Sequence, residues 1–319
     1  MMGRRLPRVV LAARSQAERR KRRAGIRLRD FSITQKTKDR YESAVGRILP
    51  YLETHSSMDN LDLILCDYIE LQWSRGESLH FIADGLSGLH FFMPELRGML
   101  RQSWRLFKDW RRIEAPARAP PMTVLLARAI VARAVELNHL PFACLISLGF
   151  HALLRTGEML KITYKDLEFS KECGILSLHQ SKSGLRSGTS EAVAIRDALT
   201  LELLHTWKVV YHPSLGDKLW PYSPQSFRET FRSYLRFFRV MHLDLKPYSL
   251  RRGGATHLLQ KGVPMDTILL RGRWHSLAVA RLYLQDGLAM LPGLRIDSKD
   301  LVKIQQYTFQ TPKTAFSPL

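Results

Sequence analysis

Arg251, Trp274 and Tyr283 stand in one block, YSLRRGGATHLLQKGVPMDTILLRGRWHSLAVARLY, over residues 248–283. All three side chains can act on an anionic group. A guanidinium grips phosphate or carboxylate through two parallel hydrogen bonds. An indole can only donate its N–H, and a phenol becomes a nucleophile once activated. A block built only to fold would not need them. Taken singly, each also has an ordinary reading: a Trp after a helix stop is commonly core, and a Tyr on an amphipathic helix commonly sends its hydroxyl to the surface.

The block must position these residues with short helices. Spacing predicts a helix over 250–260, a break at Gly262, and a second helix begun after Pro264 and closed at Gly272. Ser276 is placed to cap a third helix whose last turn carries Tyr283. Leu250, Leu258, Leu259, Ile268, Leu269, Leu277 and Leu282 recur at roughly helical spacing, giving each helix an inward face.

Composition narrows the partner. The 319 residues suffice for two domains, and 45% hydrophobic with 24% charged residues is the balance of a globular chain. Lys and Arg outnumber Asp and Glu by 49 to 29, a formal +20, which favours a polyanionic partner, nucleic acid before an anionic membrane. Cys66, Cys144 and Cys173 form no C-x-x-C pair, so no zinc site, metal or disulfide framework is expected. The apolar run over 140–154 is too short for a membrane span and contains His151; it reads as a buried core helix.

Residues 1–30 carry eleven Lys or Arg against Glu18 and Asp30, with RRKRR at 19–23, and read as a disordered basic arm. That run suits a DNA-clamping arm or nuclear targeting in a eukaryotic cell; otherwise an intracellular, DNA-associated place in the cytoplasm or nucleoid is expected. Residues 31–114 are patterned as helices, one with Tyr41, Val45, Ile48, Leu49 and Leu52 on a face. A helix begun at Pro94 would align Arg97, Arg101, Arg105 and Lys108 along one side, by default a solvated face and more sharply a row for phosphates. The Pro-rich 115–122 reads as a linker. A second domain over 123–290 opens with helices, then alternating segments at 175–179 and 192–196 flank a polar, Gly-punctuated loop holding Lys182, a hairpin pattern. Over 224–240, Phe227, Phe231, Leu235 and Phe238 form an apolar face, with Arg228, Arg232, Arg236 and Arg239 beside it as a DNA-contacting row. A tail follows at 291–319.

These parts together resemble the tyrosine recombinase (phage integrase) superfamily. HALLRTGEML resembles its first arginine motif, with Arg155 the arginine and Glu158 the acidic residue. Lys182 matches the family's lysine, YSLR its H-x-x-R motif in all but the first position, Trp274 its histidine-or-tryptophan position and Tyr283 its nucleophile. The helical 34–113 region is similar to its DNA-clamping core-binding domain. The resemblance implies a mainly α fold with a small antiparallel β-sheet: an all-helical core-binding domain followed by an α+β catalytic domain. It implies double-stranded DNA as substrate, a 3′-phosphotyrosyl intermediate and no cofactor. It also implies a homo-tetramer on paired sites, joined through C-terminal tail exchange, for which Leu288, Leu294, Leu301, Val302 and Ile304 are available.

In such a site Arg155 and Arg251 would neutralise charge gathering on the non-bridging oxygens. Trp274 would donate its N–H, Tyr283 would attack phosphorus, and Lys182 would protonate the departing 5′-oxygen. Glu158 would support Arg155 or its helix. Tyr248 departs from the pattern: a phenol can donate to phosphate but, with a reference pKa of about 10, is a poor base at neutral pH. The reading is an integrase or transposase of a mobile element. The alternative is a recombinase-derived, catalytically silent DNA-binding protein; a third, weaker reading is an RNA- or lipid-binding basic protein.

Overall fold

A computed structural model describes residues 15–24, 33–54, 60–114, 118–178, 191–281, 283–284 and 294–309. The chain divides into two units, 1–117 and 118–319, the division falling inside the Pro-rich stretch. Ala119 and Met122, read from sequence as linker, are buried, and the Met122 N–H donates to the Ser249 carbonyl at 3.0 Å.

The first unit is helical: α1 (Gln16–Arg23), α2 (Gln35–Thr54), α3 (Leu61–Ser74), α4 (Leu79–Phe92) and α5 (Arg101–Ile113). α1 lies within the arm that composition alone reads as disordered; Ser15 caps it by accepting the Glu18 N–H. Val45, Ile48, Leu65, Tyr68, Ile69, Ile82, Leu86, Leu89, Leu96, Leu100 and Trp110 form the core, while Leu49 is exposed. The residue before α5, Leu100, has no side chain to cap it. Asp62 of α3 caps it instead, accepting the Gln102 and Ser103 N–H groups at 2.8 and 2.9 Å and the Ser103 hydroxyl at 2.6 Å. Orphan amides at a helix start are thereby paired, and the cationic helix is pinned to α3.

The second unit opens with α6 (Val124–Glu136) and α7 (Leu140–His151). Apart from the half-buried Pro141, α7 is buried from Leu140 to Phe150, as its mostly apolar run requires. No described helix is long and apolar enough to cross a membrane. A four-residue helix α8 (Thr156–Met159) leads to a three-stranded antiparallel sheet, β1 (Leu167–Phe169), β2 (Gly174–Leu178) and β3 (Glu191–Ile195), in that order. Leu176 pairs with Leu167 on one side and Val193 on the other, and all three face inward. Helices α9 (Ala198–Tyr211) and α10 (Pro224–Phe237) follow, then α11 (Tyr248–Gln260), α12 (Met265–Gly272), α13 (Leu277–Arg281) and α14 (Ser298–Phe309). The expected Phe face of α10 is buried. The architecture is mainly α with a small antiparallel sheet.

Four expectations are corrected. Helix α5 starts at Arg101, because Pro94–Leu96 is a separate 3-10 turn, so Arg97 sits in extended backbone before the cationic helix. Arg239 lies beyond the end of α10 with φ 56, so only Arg228, Arg232 and Arg236 share the helix. The regular part of α13 is Leu277–Arg281, and Tyr283 sits in the turn that continues it, where the Tyr283 and Leu284 N–H groups both donate to the Ala280 carbonyl; Leu277, expected inward, is exposed. The apolar tail residues are not all spare: α14 packs against α6 of its own chain, with Ile304 buried and Leu301 and Tyr307 packed on the core. Lys303 strengthens that docking, its Nζ donating to the Phe237 carbonyl at 2.8 Å and standing 3.7 Å from the Phe237 ring centre.

Candidate active site

The site is built on backbone that other residues would not tolerate. A Cβ on Gly253 would sit 2.0 Å from the Met122 carbonyl oxygen, and one on Gly254 would sit 1.9 Å from that of Phe150. The glycine pair therefore lets α11 lie directly against α7 and the segment leading into α6. That approach delivers Arg251, three residues into α11, to the end of α7.

At the end of α7 the chain turns through Leu153, whose φ of 50 is left-handed and costs a residue with a Cβ about 1 kcal/mol. Its carbonyl accepts from Arg251 Nη1 at 2.6 Å and from Arg273 Nη2 at 3.2 Å. Arg251 Nη2 donates to the Gly272 carbonyl. The Arg251 side chain has no exposed surface, and its Cζ lies 4.9 Å from the Trp274 ring centre and 5.4 Å from that of Tyr283. Burial, then the charges of Arg273 and Arg155, push its pKa down to about 10. It still carries its charge at neutral pH. Arg251 Nε and Trp274 Nε1 are buried donors with no acceptor among the described residues.

Arg155 precedes α8, and Glu158 closes that turn. The carboxylate accepts the Arg155 N–H at 2.8 Å, Arg155 Nη1 at 2.7 Å and Arg273 Nη2 at 2.6 Å. Burial works to raise the Glu158 pKa, but Arg273, the Arg155 backbone N–H and the Arg155 guanidinium outweigh it and hold the carboxyl below its usual range.

Tyr248 opens α11, and its hydroxyl donates to that of Tyr283 at 2.5 Å. Burial, then the bond to Tyr283, pushes the Tyr248 phenol well above its usual range. The Tyr283 ring lies 4.7 Å from that of Trp274. Trp274 is both a site residue and core: it clusters with Leu153, Ala255, Ile268 and Ala280, and Gly272 leaves room for its ring.

Arg155, Glu158, Tyr248, Arg251, Trp274 and Tyr283 thus come together. Lys182 lies outside the described residues. Arg101 and Arg105 are exposed on α5 and, with Lys108, Asp109 and Arg112, line an open pocket of about 300 Å³. Arg228, Arg232 and Arg236 are exposed on α10. No group of three metal-ligating side chains occurs among the described residues. Sequence reasoning missed Arg273. Its one signal is an arginine directly after a helix-closing glycine, in a place where backbone geometry favours glycine or asparagine.

A family model described as the phage integrase family matches residues 127–288. An integrase/recombinase xerD homolog of Selenomonas ruminantium is 28% identical over 227 residues, 66% of either chain. The XerH site-specific recombinase, solved bound to palindromic difH substrate in a post-cleavage complex, superposes with TM-score 0.58 at 15% identity over 77% of this chain and 75% of that one. The Tn1549 transposon integrase, solved with transposon right end DNA, gives 0.59 at 13% identity over 87% and 97%. At these identities the two structures speak to the fold alone, and they share this one. With its family model spanning half of its length, the chain belongs to the phage integrase family of tyrosine recombinases.

Proposed function

We propose that this chain cuts and rejoins double-stranded DNA through a 3′-phosphotyrosyl intermediate, as the recombinase of a mobile element. The observation that carries the reading is the gathering of Arg155, Tyr248, Arg251, Trp274 and Tyr283 around two buried donors, Arg251 Nε and Trp274 Nε1, that lack acceptors among the described residues. An unpaired buried donor costs about 1–3 kcal/mol, which a phosphate oxygen would recover.

In the proposed reaction Tyr283 Oη attacks phosphorus and the 5′-oxygen departs. Arg155 and Arg251 offset the charge on the non-bridging oxygens. Lys182 supplies the proton for the leaving oxygen. Tyr248 donates a hydrogen bond to the attacking oxygen. Tyr248 is held above its ordinary range and stays protonated, so the Tyr283 proton leaves to water. The Arg251 side chain is fully buried, with the Trp274 and Tyr283 rings 4.9 and 5.4 Å from its Cζ, so a phosphate reaches that guanidinium only after side chains around it have moved. The rows on α5 and α10 would grip the flanking backbone, in numbers that make binding strongly salt-dependent. A homo-tetramer on paired sites remains the proposed assembly; α14, docked in cis, would have to be released before it could be exchanged.

The bond between Tyr248 and Tyr283, together with the buried Arg251, favours a second reading, a silent DNA-binding protein. A nicked suicide substrate separates the two. A covalent protein–DNA adduct that disappears in Tyr283→Phe supports cleavage. Salt-sensitive binding without any adduct supports the silent form, and an adduct that survives Tyr283→Phe removes Tyr283 as nucleophile.

A further inference from the structure

Arg273 is an unusual residue for its place. It follows α12 at φ 53, in the left-handed region where a glycine would be free of strain. Yet its side chain turns inward and is only 7% exposed. There it meets three different elements. Nη2 donates to Glu158 of α8 at 2.6 Å and to the Leu153 carbonyl after α7 at 3.2 Å, and Nε faces Glu191, the first residue of β3, at 3.4 Å.

Two of those partners are shared with the residues assigned to phosphate. Glu158 also holds Arg155, at 2.7 Å, and the Leu153 carbonyl also holds Arg251, at 2.6 Å. We propose that Arg273 is a positioning residue of this site, a buried node that fixes the spacing of Arg155 and Arg251 without itself touching DNA. The proposal rests on the cleavage reading above, and its geometry stands independently of it. Arg155 repels this third cation, while Glu158 and Glu191 attract it and hold it in place. Its benefit is geometric: one rigid fork reads a carboxylate and a carbonyl at once, which an ammonium could not match.

The test uses the full chain with Arg273→Gly and Arg273→Lys. Glycine suits the backbone better than arginine, so a merely local role predicts a variant that is folded and as active as the wild type. The node predicts that Arg273→Gly slows adduct formation about 100-fold, the size expected from misplacing catalytic groups by an ångström. DNA affinity should stay within a few-fold, and Arg273→Lys should recover part of the rate.

The pH profile adds a readout that simple loss of packing would not move. Glu158 faces Arg155 from the start of α8, Arg273 from the end of α12 and Arg251 from α11; Glu191 of β3 reaches it only through Arg273. With Arg273 gone, the buried carboxyl takes up a proton at higher pH and releases Arg155. The acid limb of cleavage should therefore move upward, and Glu158→Gln should abolish the difference. Adduct formation within three-fold of wild type with an unmoved acid limb overturns the node.

If the wild-type chain forms no adduct, the cleavage reading falls and stability decides the node. The gap in unfolding midpoint between wild type and Arg273→Gly should then close as pH falls through the Glu158 range, and vanish in a Glu158→Gln background. A gap independent of pH overturns the proposal.

Discussion

Helix α5 and the cluster around α11 hold their cations in opposite ways. On α5, Arg101, Arg105, Lys108 and Arg112 are exposed, and the nearby acid Asp109 pairs with Arg112 across one turn. Around α11, Arg251 is fully buried and Arg273 nearly so, each bonded to backbone carbonyls or a buried carboxylate. Exposed cations keep their hydration, act through a shared field and are screened by salt. Buried ones have given up that hydration, so each needs fixed partners and has a defined geometry. The first arrangement suits gripping a polyanion at any register. The second suits a single phosphate.

The largest expected effect lies on the buried side. Arg251→Lys keeps the charge but loses the fork that reads the Leu153 and Gly272 carbonyls, and adduct formation should fall about 1,000-fold in a single-turnover assay. A loss below ten-fold would erase the contrast between the two sets of cations.

Next comes the backbone that delivers Arg251. Gly254→Ala places a methyl group 1.9 Å from the Phe150 oxygen and should destabilise the second unit by about 3 kcal/mol or more, read from denaturant midpoints. A smaller effect is expected from acid. The folded pKa of His257 is lowered to about 4, first by burial and then by Lys261 and His151, so the folded state prefers the neutral ring. The stability linked to it is present above the unfolded value of about 6.5 and is lost as pH falls toward 4. His257→Gln should flatten the stability profile across that window. The smallest effect belongs to the exposed set. Arg105→Ala should leave stability within about 0.5 kcal/mol, weaken DNA binding a few-fold and reduce the salt slope by about one.

The same division explains what was legible in the sequence. Periodicity marks which face is buried, so the Phe face of α10, the buried run of α7 and the strands beside the Lys182 loop could all be read directly. The grouping of Arg155, Arg251, Trp274 and Tyr283 was legible only as an ordered set, since each alone has an ordinary packing role. Arg273 was not legible, because its partners Leu153, Glu158 and Glu191 are remote in sequence and spacing carries no trace of long-range contacts. Arg97 and Arg239 fell outside their expected helices for a local reason: helix ends depend on caps and turns that an apolar repeat does not encode. The docking of α14 was hidden because an amphipathic helix looks the same whichever chain it covers.

Trp274 also has an optical consequence. Its indole is in contact with both the Arg251 guanidinium, 4.9 Å from the ring centre, and the Tyr283 ring, 4.7 Å away. Emission from an indole depends on charge and on aromatic neighbours at that range, so departure of Tyr283 toward a phosphate should change its intensity and colour. The wild-type residue is thus a built-in fluorophore for that motion. Stopped-flow mixing with DNA would time the departure of Tyr283, the proposed nucleophile, with Tyr283→Phe and Trp274→Phe as the two blanks.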